Sequence, residues 1–185
     1  MTVTYILSQV FIIINYIFLA ITYQSKSRRN ILIFNFAGLT STGISYILLS
    51  AYSGFAMVIV GIIRNIIFIV DEKKNGKNDK NTKKDYIILA ILYAISIISG
   101  ILTYNGILSM MSVVATMLYT YSVWQRNTKV YKMLGILVGI VWIIYNVYIF
   151  SIFGIILEGV LAIFAIVGYI KEKNNKALNS NGGEA

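Results

Sequence analysis

Seven apolar runs of 16 to 20 residues follow one another between Tyr5 and Ile170, separated by short polar connectors. A helix needs about 20 apolar residues to cross the hydrocarbon core of a bilayer, with about 17 to 25 tolerated. Lipid offers the backbone no hydrogen-bond partner, so runs of this length must close their hydrogen bonds internally, as helices. Spans are expected at 5–23, 31–50, 55–70, 86–103, 107–124, 133–150 and 154–170. Composition agrees: 58% of residues are hydrophobic, 12% are charged, and the mean hydropathy of +0.76 belongs with membrane proteins. No basic segment precedes the first run and no small-residue cleavage pattern follows it, so it is expected to stay as a membrane helix.

The residue inventory removes several kinds of chemistry. Without Cys or His there is no disulfide, thiolate site, histidine metal site or histidine-based triad. There is also no carboxylate pair, phosphate loop or metal cluster, so an enzyme is disfavoured and no cofactor is expected. The net charge of +9 does not indicate nucleic acid, because the bases sit in connectors between apolar spans. Residues 71–85 hold six lysines, four acids and three asparagines and read as a solvated loop. Such a run serves as an anchor or as a surface for anionic lipid. The polar tail at 171–185 is expected to be disordered.

The connectors also set the orientation. Four of them, at 24–30, 71–85, 125–132 and 171–185, hold 15 of the 16 Lys and Arg residues, while the turns on the other side hold none. The positive-inside rule then places the N-terminus outside and the C-terminus in the cytoplasm.

Shifted against itself by 100 or 101 positions, the sequence aligns features of several kinds. Ile6-Leu7-Ser8 falls on Ile107-Leu108-Ser109, Gln24 on Gln125, Gly54 on Gly154, and Asp71-Glu72-Lys73 on Lys171-Glu172-Lys173. The expected fold is an all-α membrane protein of seven transmembrane helices, arranged as two parallel three-helix repeats joined by a linker helix. The boundaries are 1–70 for the first repeat, 71–85 for the lysine-rich loop, 86–104 for the linker helix, 105–170 for the second repeat and 171–185 for the tail.

A three-plus-one-plus-three build resembles the SWEET and PQ-loop transporters and is similar to nicotinamide-riboside transporters. The chain looks closer to the YgjV family of bacterial inner-membrane proteins. The residues carrying that resemblance are Gly61-Ile62-Ile63-Arg64, Trp142-Ile143-Ile144-Tyr145-Asn146, Ser151-Ile152-Phe153-Gly154 and Glu158-Gly159. It implies a multi-pass protein of the bacterial cytoplasmic membrane and, more distantly, a SWEET-like topology. The chain contains no proline, so the Pro-Gln motif and proline hinges of PQ-loop transporters have no counterpart here.

Tyr apart, Arg64 and Glu158 are the only ionisable residues well inside the spans. A charge at the bilayer centre costs about 2.5 to 3.5 kcal/mol on insertion scales, so each must face protein or water, or reach an interface. The two are candidates to pair, although their positions in parallel spans differ in depth by roughly 9 Å at about 1.5 Å per residue. Gly135, Gly139, Trp142 and Asn146 share one face of the sixth span, and Gly61, Arg64, Asn65 and Phe68 one face of the third. Ser112, Thr116 and Thr120 do so in the fifth, and Gly154, Glu158, Ala162 and Ala165 in the seventh.

With Asn15 these faces can line a central polar site between the repeats for a small polar or anionic solute. Its expected substrate-binding residues are Arg64, Asn65, Trp142, Tyr145, Asn146 and Glu158. The other reading is a scaffold or partner subunit in which the same residues only lock helices together. Seven-span bundles of this size work alone or as homo-oligomers, and lipid is the one certain partner.

Overall fold

The computed structural model describes residues 3–50, 52–75, 81–102, 104, 107–148 and 152–181. Among them the chain forms α1 (Val3–Gln24), α2 (Arg28–Leu48), α3 (Tyr52–Asn75), α4 (Lys83–Leu102), α5 (Ile107–Trp124), α6 (Thr128–Tyr148) and α7 (Ile152–Asn181). Five of these, α1, α2, α4, α6 and Gly154–Asn174 of α7, are long and apolar enough to cross a membrane. In α5 the apolar stretch Val113–Trp124 is shorter. The helices gather into two compact units, residues 1–77 and 78–185.

In the first unit α2 packs against both α1 and α3. The α1–α2 contact is made by a Phe18–Phe34 ring stack and by Asn15, whose Oδ1 lies 2.6 Å from where a Cβ on Gly38 would stand. The antiparallel register of α2 against α3 can be followed from one end to the other. Gly43 meets Phe55 and Val58, Leu39 meets Gly61, Asn35 meets Asn65, and Arg28 meets Glu72. The tight turn between these helices runs through Ser50, which takes a left-handed φ of 54°.

In the second unit α4 packs on α5, α5 on α6, and α6 on α7. Asp85 caps the start of α4: Thr82 donates from both its backbone N and its Oγ1 to Asp85 Oδ2, at 2.7 and 2.9 Å. Asp85 also fixes α4 to the end of α5. Its backbone oxygen accepts from Trp124 Nε1 at 3.0 Å, and Arg126 Nη2 stands 3.8 Å from its carboxylate. At the other end of this pair Gly100 faces Val113 so closely that an added Cβ would overlap the valine side chain. Gly100→Ala is therefore expected to destabilise the protein by about 1 to 3 kcal/mol through overpacking, read as a lower thermal midpoint in detergent. The gain in helix propensity from Gly to Ala, about 1 kcal/mol, offsets part of this and leaves a net loss of up to about 2 kcal/mol.

Two polar segments carry more helix than the sequence suggests. The expected loop at 71–85 is shortened, because α3 continues through Asn75 and α4 begins at Lys83; residues 76–80 lie outside the described part. The expected disordered tail is helical through Asn181, and only residues 182–185 of it lie outside. Hydropathy ends a span where charge begins, but Lys, Glu, Ala and Leu are good helix formers and an established helix continues through them. Here both extensions are also tied down by their acids.

Candidate functional site

The acids just past the apolar stretches of α3 and α7 face the N-terminal turns of α2 and α6. Arg28 Nη1 reaches Glu72 Oε2 at 2.5 Å and Asp71 Oδ2 at 3.8 Å. In the second unit Glu172 accepts from Thr128 Oγ1 and, at 2.6 Å, from Lys132 Nζ. Thr128 and Glu172 stand one hundred positions after Arg28 and Glu72, and α2 and α6 have the same bounds at that offset. Thr22 and Ser122 also correspond, each bonding a backbone oxygen three residues back. In each unit two packed helices, α2 with α3 and α6 with α7, are clasped by charge where the first of the pair begins. Lys132 is only 2% exposed, whereas its partner Glu172 is partly open to solvent.

About 12 Å along α3 from Glu72, by helical rise, lies the polar centre of the first unit. Arg64 is 6% exposed, Asn65 is fully buried and Asn35 is 1% exposed. Asn65 Nδ2 donates to Asn35 Oδ1 at 2.6 Å, while Asn65 Oδ1 has no hydrogen-bond partner among the described residues. Arg64 does not extend toward the basic connector, one of the two ways open to it in the sequence. Its Nη2 lies 3.9 Å from the Cβ position of Gly61, so the side chain folds back over the preceding turn, deeper into the span. A helical side chain leans toward the helix N-terminus, and here that direction leads inward.

The other expected site residues lie in the second unit. Trp142 and Tyr145 meet edge to face at 5.3 Å, and Asn146 donates from Nδ2 to the backbone oxygen of Trp142 at 2.8 Å. All three are half-buried, as is Glu158, which interacts with neighbours in the protein. Gly139 lies 3.6 Å, measured from its Cβ position, from Ala162, and the antiparallel register continuing from there sets Glu158 level with Trp142. Arg64 and Asn65 thus share one cluster, and Trp142, Tyr145 and Asn146 another.

The distribution of polarity is inverted relative to a water-soluble bundle. Ser8, Thr22, Asn35, Ser45, Arg64, Asn65 and Lys132 are buried, whereas apolar residues such as Val10, Ile13 and Ile17 of α1 and Ile87, Ile91 and Ile98 of α4 point outward. Such an exterior suits lipid. The sequence profile of the bacterial inner membrane proteins of the YgjV type matches residues 6–176. The chain belongs to the YgjV family. This YgjV-family chain is therefore an integral protein of the bacterial inner membrane, crossing it more than once. No curated protein and no solved structure matches it.

Asn35 and the clasp residues are functional candidates that reading the YgjV-family sequence did not single out. The aligned Asp71-Glu72-Lys73 and Lys171-Glu172-Lys173 were the available signal for the clasps, since charge runs repeated at one offset point to a shared task.

Proposed function

We propose that this protein is a small-molecule transporter of the bacterial cytoplasmic membrane, with its basic connectors in the cytoplasm and its N-terminus outside. The observation that carries the reading is the buried Arg64, folded inward toward Gly61 and next in the chain to Asn65 of the buried Asn35–Asn65 amide pair, in helices that otherwise present apolar residues to lipid. Ionisable groups inside membrane helices are expensive and are kept where a solute or ion must be handled. In the first unit Arg64 and Asn65 would contact an anionic or polar group; in the second, Trp142 and Tyr145 would offer a wall for a ring or sugar face, with Asn146 and Glu158 as polar contacts. Glu158 is the candidate for proton coupling.

A second reading, a non-transporting scaffold or partner subunit, draws support from Asn146, whose amide donor is satisfied by its own helix. Reconstitution into liposomes with a screen of polar metabolites separates the two. Uptake is expected, and the triple variant Arg64→Ala, Asn146→Ala, Glu158→Gln should reduce it at least tenfold; undiminished uptake excludes these residues. The native chain has no cysteine, so Asn146→Cys adds a single thiol. Labelling by a water-soluble reagent supports the transporter, and protection supports the scaffold.

A further inference from the structure

We infer that the first unit holds a binding site for a small carboxylate bearing a hydroxyl or ammonium group on the adjacent carbon. The inference rests on the transport reading and names the solute class for the Arg64 end of it. Two adjacent residues of α3 supply complementary chemistry. Arg64 offers a planar fork of five donors suited to a carboxylate, and its inward fold keeps that fork away from the basic connector. Asn65 offers the opposite: its Nδ2 is engaged by Asn35, leaving Oδ1 as a fully buried acceptor with no partner among the described residues.

A buried acceptor without a donor is costly, and a ligand hydroxyl or ammonium supplies one. A bare anion satisfies only Arg64, and a neutral sugar only Asn65. A carboxylate with a donor one carbon away serves both. Arg64 is already engaged within the protein, so the ligand adds to the guanidinium's bonds or exchanges with them. The near-complete burial of Asn35, Arg64 and Asn65 favours a small solute. The second unit has Gly135, Phe164 and Ala165 at the positions one hundred residues on, which places the site in the first unit alone.

The test uses the full chain in phosphatidylcholine nanodiscs, with sodium lactate, glycine and sodium acetate as probes at matched ionic strength. It reads the thermal midpoint against probe concentration, since a ligand that binds only the folded state raises it by mass action. Lactate or glycine is expected to half-saturate at a concentration at least tenfold below that for acetate. Arg64→Gln should abolish the response to all three. Asn65→Leu should bring lactate and glycine down to the acetate level while sparing acetate, which a purely structural role for Asn65 does not predict. If that variant fails to insert, the selectivity of the unaltered chain decides alone. No response, equal responses to the three probes, or a response that survives Arg64→Gln overturns the site. Binding without uptake in liposomes keeps the site and removes the transport reading. Uptake of another solute, indifferent to Arg64→Gln, removes the site and keeps transport.

Discussion

Glu172→Ala is expected to destabilise the second unit by about 1 to 3 kcal/mol, between an exposed ion pair and a fully buried one, because only Lys132 of the pair is buried. Lys132 is 2% exposed and has its Nζ 2.6 Å from the partly exposed Glu172 Oε2, so the substitution leaves a largely buried ammonium without its acceptor. Thr128 loses its acceptor in the same step. The thermal midpoint in detergent should fall, and hydrogen exchange should quicken first at the start of α6 and the end of α7. The double variant Lys132→Met, Glu172→Gln removes both charges and should recover most of the loss, because the penalty comes from the unpaired lysine. A single variant that loses less than about 1 kcal/mol would show the clasp to be worth no more than an exposed pair.

Asn35→Ala is expected to cost about 1 to 3 kcal/mol, because it leaves the amide of Asn65 fully buried with neither end bonded within the protein. Asn35→Leu combined with Asn65→Leu should be nearly neutral for stability, since replacing both partners by apolar groups removes the unmet polar demand. The second unit already uses an apolar solution, with Gly135 buried and Ala165 fully covered at the corresponding positions. Thermal unfolding and uptake measured on the same preparations then divide the roles of the amides. A stable double variant without uptake assigns them to solute handling, and one with normal uptake assigns them to packing.

The helices were legible because lipid imposes a simple rule: apolar runs of sufficient length become helices, and connectors carry the charge. Where helices continue past the apolar stretch, as at Asp71 to Asn75 and Lys171 to Asn181, hydropathy has no information, and a tertiary anchor such as Glu72 or Glu172 holds the extension. Glu72 and Glu172 of the two clasps align in sequence but their basic partners do not. Arg28 corresponds to Thr128, and Lys132 to Leu32, so the pairs could not be read from the repeat. Arg64 and Asn65 were visible as polar breaks in an apolar run. Asn35, an equal break in the second span, was not connected to them because only the antiparallel register of α2 and α3 brings residues thirty positions apart into hydrogen-bond distance.

The amide pair found in one hairpin and missing from the other also bears on assembly in the membrane. With α2 and α6 sharing the same bounds at an offset of one hundred residues, each apolar helix has to find its own partner during insertion. A wrong match of α2 with α7 would seat Asn35 beside Ala165, in surroundings that leave its amide unanswered. One asparagine on each helix of the pair therefore favours the match of α2 with α3.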